Sequence, residues 1–177
     1  MRRLFALAAL LAVSMPTTGL LAQSHRDPLN EDEVDQIREF ADRPAERVKL
    51  YMKFIQQRID AVRQMSTDPN VQNKPAKLRN LMEEFTRLAD ELQDNLDNYE
   101  DTHSDVRKPL KDLIAASEKW PEVLRTPPPD RSYDFSRKTA LEAAESANQQ
   151  ATKLLEDQTK YFAEHKKGRR DDPPPPK

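Results

Sequence analysis

The chain has no cysteine, two glycines and three histidines in 177 residues, and each shortage closes a route to function. Without cysteine there are no disulfides, no thiolate metal sites, no covalently attached haem and no lipid-anchored cysteine at a mature N-terminus. Two glycines do not build the phosphate-cradling loops of nucleotide enzymes. His25, His103 and His165 are the only imidazoles available as general bases. Paired carboxylates such as Glu83-Glu84 are plentiful, but on amphipathic helices they form solvated faces. No nucleophile with its base, no oxyanion cradle and no ligand cluster comes into view, so the sequence reads as that of a non-enzymatic protein. Charge is nearly balanced as well, 29 basic against 31 acidic residues well interspersed, which excludes a nucleic-acid footprint.

What is present is proline, 14 of them, with abundant Glu, Lys, Leu and Ala. That composition makes long helices separated by stiff breaks rather than tight glycine turns. The chain opens with Met1-Arg2-Arg3 followed by the apolar run Leu4 to Val13, the length of a signal-peptide core and short of the roughly 20 residues that span a bilayer. We expect a leader over residues 1–22, cleaved after Ala22, with Gly19 as the second choice and an uncleaved anchor as the alternative. Arg2-Arg3-Leu4-Phe5 resembles part of a twin-arginine signal, though a basic pair is what any leader start carries. The expected location is the periplasm or extracellular space. Residues 23–29 are then a flexible N-terminal segment, 30–167 one helical-bundle domain, and 168–177 a disordered tail rich in charge and proline.

Helix periodicity is the dominant signal in the domain. Asn30 and Glu33 form a capping box, and Leu29 is placed to staple onto Val34. Val34, Ala41, Ala45, Val48, Met52, Ile55, Ile59 and Val62 then follow in 4-3 alternation, interrupted at Arg38. Because the phase survives Pro44, one bent element is expected, kinked near Asp42-Arg43. After a turn at Thr67-Asp68-Pro69-Asn70, a second stripe starts near Pro75: Leu78, Met82, Phe85, Ala89, Leu92, Leu96 and Tyr99. Its phase resumes beyond the polar stretch 100–105, at Val106, Leu110, Leu113, Ser117, Trp120 and Leu124, which favours one long kinked helix from Pro75 to Leu124. Thr126-Pro127-Pro128-Pro129-Asp130 is a stiff connector. A last helix from about Tyr133 to Lys167 carries Ala140, Ala144, Ala147, Ala151, Leu154, Gln158 and Tyr161, small in its first half, with Gly168 as its cap. The expected fold is all-α, an elongated antiparallel bundle of three long kinked helices. The alternative breaks the middle helix at 101–105 and gives a four-helix up-and-down bundle. The shared pattern of Arg43-Pro44-Ala45 and Lys74-Pro75-Ala76 is helix-start grammar rather than a repeat.

Four features invite a chemical reading. Glu100 and His103 have the Glu-x-x-His spacing of dimetal-carboxylate bundles, but such a site needs a second copy and two more inward glutamates. On a continuous helix His103 would be a core-facing polar interruption that fixes register. Non-covalent haem would need a facing pair drawn from Met52, Met65, Met82, His103 and His165; Met52 and Met82 read more simply as flexible core fillers. No cofactor is therefore expected. Lys166, Lys167, Arg169 and Arg170 are a candidate contact for an anionic membrane surface, weakened by Asp171 and Asp172. Trp120, next to Pro121, is the aromatic candidate for a contact site, set against its plainer role of covering the bundle's end. Together these favour an adaptor, scaffold or chaperone-like binder of an unidentified envelope protein. A cofactor-carrying bundle and a membrane-surface binder are the competing classes; oligomeric state is left open.

Overall fold

A computed structural model describes residues 28–168, with side chains as far as His165. The described residues form an all-α helical bundle of six segments: α1 Glu31–Glu39, α2 Pro44–Thr67, α3 Lys74–Asp101, α4 Arg107–Ser117, α5 Trp120–Leu124 and α6 Asp134–Gly168. The expected leader over residues 1–22, residues 23–27 and the tail from Arg169 lie outside the described residues. No described helix is long and apolar enough to cross a membrane.

α1 begins where the capping box puts it. The Asn30 side chain accepts from the Glu33 N–H at 2.9 Å, and Glu33 Oε2 accepts from the Asn30 N–H at 3.0 Å. It does not run on into α2. The helix stops at Glu39, residues 40–43 turn on short-range bonds from Ala41 N to Arg38 O and Arg43 N to Phe40 O, and α1 folds back on α2. Its direction is given by Glu33 meeting Arg58 and Gln36 meeting Lys53. The expected single bent element is thus corrected to an antiparallel helix pair. Pro44 causes the separation: it holds Arg43 off the helical conformation (φ −122°, ψ 78°) and opens α2 at a first-turn position, where a missing N–H costs no hydrogen bond. Ala41, expected on the stripe, is exposed.

The long helix expected from Pro75 to Leu124 is also broken, after Asp101 and again after Ser117. Pro109 forbids continuity at the first break. Inside a helix its ring would clash with the Asp105 carbonyl and leave that acceptor unpaired, so it sits instead in the first turn of α4. His103 takes a left-handed conformation (φ 51°) that lets the chain turn. The turn is then held from the side by Gln158 of α6, whose amide accepts from the Val106 N–H at 3.1 Å and donates to the Ser104 carbonyl at 2.7 Å. The break of the middle helix that the four-helix alternative expected is therefore found, with a second break after Ser117 and α1 added as an outer flap.

Contacts fix the directions. Tyr51–Glu91 and Arg58–Glu84 make α2 and α3 antiparallel. Glu83–Ser136, Gln93–Ser146, Asp97–Gln150 and Glu100–Lys153 advance in step, so α3 and α6 are parallel neighbours. Val106–Gln158 and Ile114–Asn148 make α4 antiparallel to α6. α2 packs on α3 and on α4 and α5, and α6 on α3, α4 and α5, which leaves consecutive helices α3 and α4 across a diagonal. α6 extends past the end of α3, so its last turns meet only the turn at 102–106 and the start of α4.

The core is one cluster: Phe54, Ile55 and Ile59 of α2, the whole α3 stripe, Leu110 and Leu113 of α4, and Val123 and Leu124 of α5. α6 contributes Ala140, Ala144, Ala147 and Ala151, all fully buried, so its backbone lies close to its neighbours. Each fully buried large apolar side chain contributes roughly 1.5–3 kcal/mol. The polyproline connector is pinned by Tyr133, whose hydroxyl donates to the Pro128 carbonyl, and by Arg137, which donates to the Pro127 carbonyl at 3.2 Å.

Candidate functional site

Small residues on α6 and the break between α4 and α5 act together on the surface. Where α4 ends at Ser117 and Pro121 restarts the chain as α5, the facing stretch of α6 is alanine-rich, and a groove of about 570 Å³ opens between them. Ala144 and Ser117 are its buried floor, and Leu141, Pro121 and Asn148 its half-buried walls. The rim is exposed and charged, with Glu118, Glu142 and Glu145 against Arg125 and Lys138. The volume falls in the range of ligand and side-chain pockets.

The floor is held rather than loose. Asn148 donates to the Ser117 hydroxyl at 2.8 Å and to the Ile114 carbonyl at 3.3 Å, and Ser117 itself donates to that carbonyl at 3.1 Å. These bonds satisfy the end of α4. They also occupy Ser117, the only hydroxyl in the groove, with no imidazole among the lining residues to activate it. The arrangement is suited to holding an apolar side chain while its flanking charges meet the rim.

The candidate residues from the sequence scatter. Trp120 is not a contact site: it is 1 % exposed and packs edge-to-face on Phe85 at 5.5 Å, its ring deep between α5 and α3. Its neighbour Pro121 lines the groove instead. His103 is not core-facing, because the helix it was placed on ends before it; it is exposed and stacks on Tyr161 at 4.0 Å, with His165 on the ring's other face at 3.9 Å. Glu100 turns to Lys153 at 2.9 Å, and no group of three or more potential metal ligands occurs among the described residues. Met52 and Met82 do not face one another. The register of α2 on α3 places residue 52 opposite 90 and residue 82 opposite 60, about 12 Å apart along the helices. Lys166 and Lys167 belong to α6 with side chains outside the described residues, as are Arg169 and Arg170 entirely.

Two charged clusters are buried elsewhere. Arg58 reaches Glu33 at 2.6 Å, Glu84 at 3.3 Å and the Pro28 carbonyl at 2.7 Å, clamping α1 onto α2 and α3. Burial pushes the Glu33 carboxyl up, but Arg58, the Asn30 N–H and Lys53 together outweigh it and leave it below its ordinary value. Near the other end of α2, Tyr51 donates to Glu91 at 3.2 Å, and burial raises the Tyr51 and Tyr99 hydroxyls. Both clusters tie helices together and neither opens onto the groove. Sequence reasoning missed the groove itself; its signals were the alanines of α6 and Pro121, read as close packing and as a neighbour of Trp120.

No family model matches the chain, nor does any curated protein or solved structure.

Proposed function

We propose that the chain is a non-enzymatic interaction protein of the cell envelope whose groove between α4/α5 and α6 receives a segment of a partner protein. The observation that carries this reading is the groove: a buried floor at Ala144 with apolar walls of Leu141 and Pro121 inside a charged rim, on a bundle that places most of its large apolar residues in its own core, with Phe135 on α6 left exposed. With three carboxylates to two cations, the rim suits a segment carrying an apolar anchor beside a basic residue. The envelope location is supported by the cationic start and the apolar run Leu4 to Val13. An adaptor or chaperone-like role follows from the same surface.

The test is site-specific photocrosslinking in cells of the native source, with the photoreactive residue at Leu141 or Gln149 in the groove and at Arg63 on the exposed face of α2. One and the same adduct from both groove positions, absent from Arg63, is expected. Identical adducts from all three positions, or none from the groove, would overturn the reading. Fractionation and N-terminal sequencing check the location, with a mature chain starting at Gln23.

A further inference from the structure

We propose that a second groove, between the start of α4 and the last third of α6, binds a phosphate-bearing anion through Lys108, Lys111 and Arg107. This groove of about 360 Å³ lies at the opposite end of α4 from the first and is lined by Asp105, Arg107, Lys108, Lys111, Leu155 and Thr159. Three cations face one carboxylate, and that carboxylate is already committed. Asp105 takes Arg107 Nε at 2.9 Å on one oxygen and Arg107 Nη2 at 2.7 Å on the other, and accepts the Arg107 backbone N–H at 3.2 Å.

That pairing has two effects. It neutralises the acid, and it fixes the guanidinium, which is held from a second side by the Phe162 ring at 4.5 Å. Arg107 Nη1 has no hydrogen-bond partner among the described residues, so a preordered donor remains. Lys108 and Lys111 stand three residues apart on one helix face, and neither has an ion-pair partner among the described residues. Two ammonium groups and one guanidinium N–H match the charge of a phosphate dianion better than that of a single carboxylate. Thr159 donates its hydroxyl proton to the Leu155 carbonyl at 2.6 Å, so the α6 wall offers the ligand an apolar surface at Leu155 rather than another donor. A free phosphate and the phosphomonoester headgroup of phosphatidic acid share this chemistry.

The experiment uses the full chain with two probes. Inorganic phosphate is titrated against the amide resonances of residues 105–111 and 155–159, with chloride at equal ionic strength as control. Sedimentation is measured with phosphatidylcholine vesicles, pure or containing phosphatidic acid. The variants are K108A/K111A and, separately, K166A/K167A/R169A/R170A. At about fivefold per basic residue near an anionic surface, K108A/K111A is expected to weaken binding about 25-fold at unchanged helicity. The second variant retains a saturable response that still depends on Lys108 and Lys111. Saturation by phosphate alone identifies a free anion; sedimentation only with phosphatidic acid identifies a headgroup; both results support the site. Equal binding by K108A/K111A and the native chain, shifts reproduced by chloride, or no binding of either probe would overturn it.

Discussion

α3 and α6 run side by side in the same direction, yet they fill the bundle in opposite ways. α3 presents Leu78, Met82, Phe85, Leu92 and Leu96 to the core, all essentially without exposure, while the first half of α6 presents alanine at four equivalent positions. The thick stripe gives the core its volume. The thin one brings a backbone close, and where its neighbour breaks at Ser117 nothing large fills the gap, so a groove results. The two helices are also anchored differently. α3 is tied by a largely buried charge cluster, through Glu84 to Arg58 and Glu33, and α6, beyond its exposed Lys153–Glu100 pair, by a neutral amide, through Gln158 to the turn before α4.

The largest effect should come from thinning the thick stripe. Phe85→Ala leaves a cavity and removes the edge-to-face partner of Trp120, so a loss of about 3–5 kcal/mol is expected in urea unfolding, with a change in the emission of the single tryptophan. Gln158→Leu should come next. It strands the Val106 N–H and the Ser104 carbonyl beside a buried apolar group, costing about 2–4 kcal/mol. Hydrogen exchange at residues 104–110 should rise more than elsewhere. A variant as stable as the native chain would mean that the turn is held by its own backbone. Thickening the thin stripe should cost less: Ala144→Leu overpacks the groove floor by about 1–3 kcal/mol and should abolish crosslinking from Leu141. Retained crosslinking at full strength would separate partner binding from the groove.

The comparison also shows what periodicity can convey. Every residue of the α3 stripe is buried, as are Val106, Leu110, Leu113, Ser117, Trp120 and Leu124 after it. The register was therefore legible across the break, although the continuity inferred from it was not. Heptad phase reports which side of a helix faces the core. A segment that turns and comes back along the same core faces it as well, so agreement in phase carries little information about direction. Proline carried more: Pro44, Pro109 and Pro121 each stand in the first turn of a new helix. Around Pro44 the phase itself was partly accidental, since Ala41 is exposed and Val34, Ala45 and Met52 are only half-buried. The capping box at Asn30 was fully legible because it is local, made within four residues. The groove was not, because its two walls are about 25 residues apart and meet only through the reversal at the polyproline connector.

The smallest effect sharpens the contrast between charged and neutral anchors. Glu33 is held below its ordinary value of 4.5 in the folded chain. A carboxyl depressed by folding contributes stability that is complete above the unfolded value and is lost as pH falls through the folded one. The Glu33–Arg58 anchor should therefore weaken only below about pH 4.5, while the Gln158 anchor has no proton to gain. Other carboxyls titrate in the same range: Asp105, pulled down by Arg107, acts in the same sense, and Asp90, pushed up by burial and then by Asp94, in the opposite one. Comparing the native chain with Glu33→Gln cancels both. Urea midpoints for the two proteins should differ at neutral pH and converge as pH falls from 5 toward 3. A difference that stays constant across that range would show that Glu33 acts through packing and the hydrogen bond its carboxyl accepts from the Asn30 N–H rather than through its charge on Arg58.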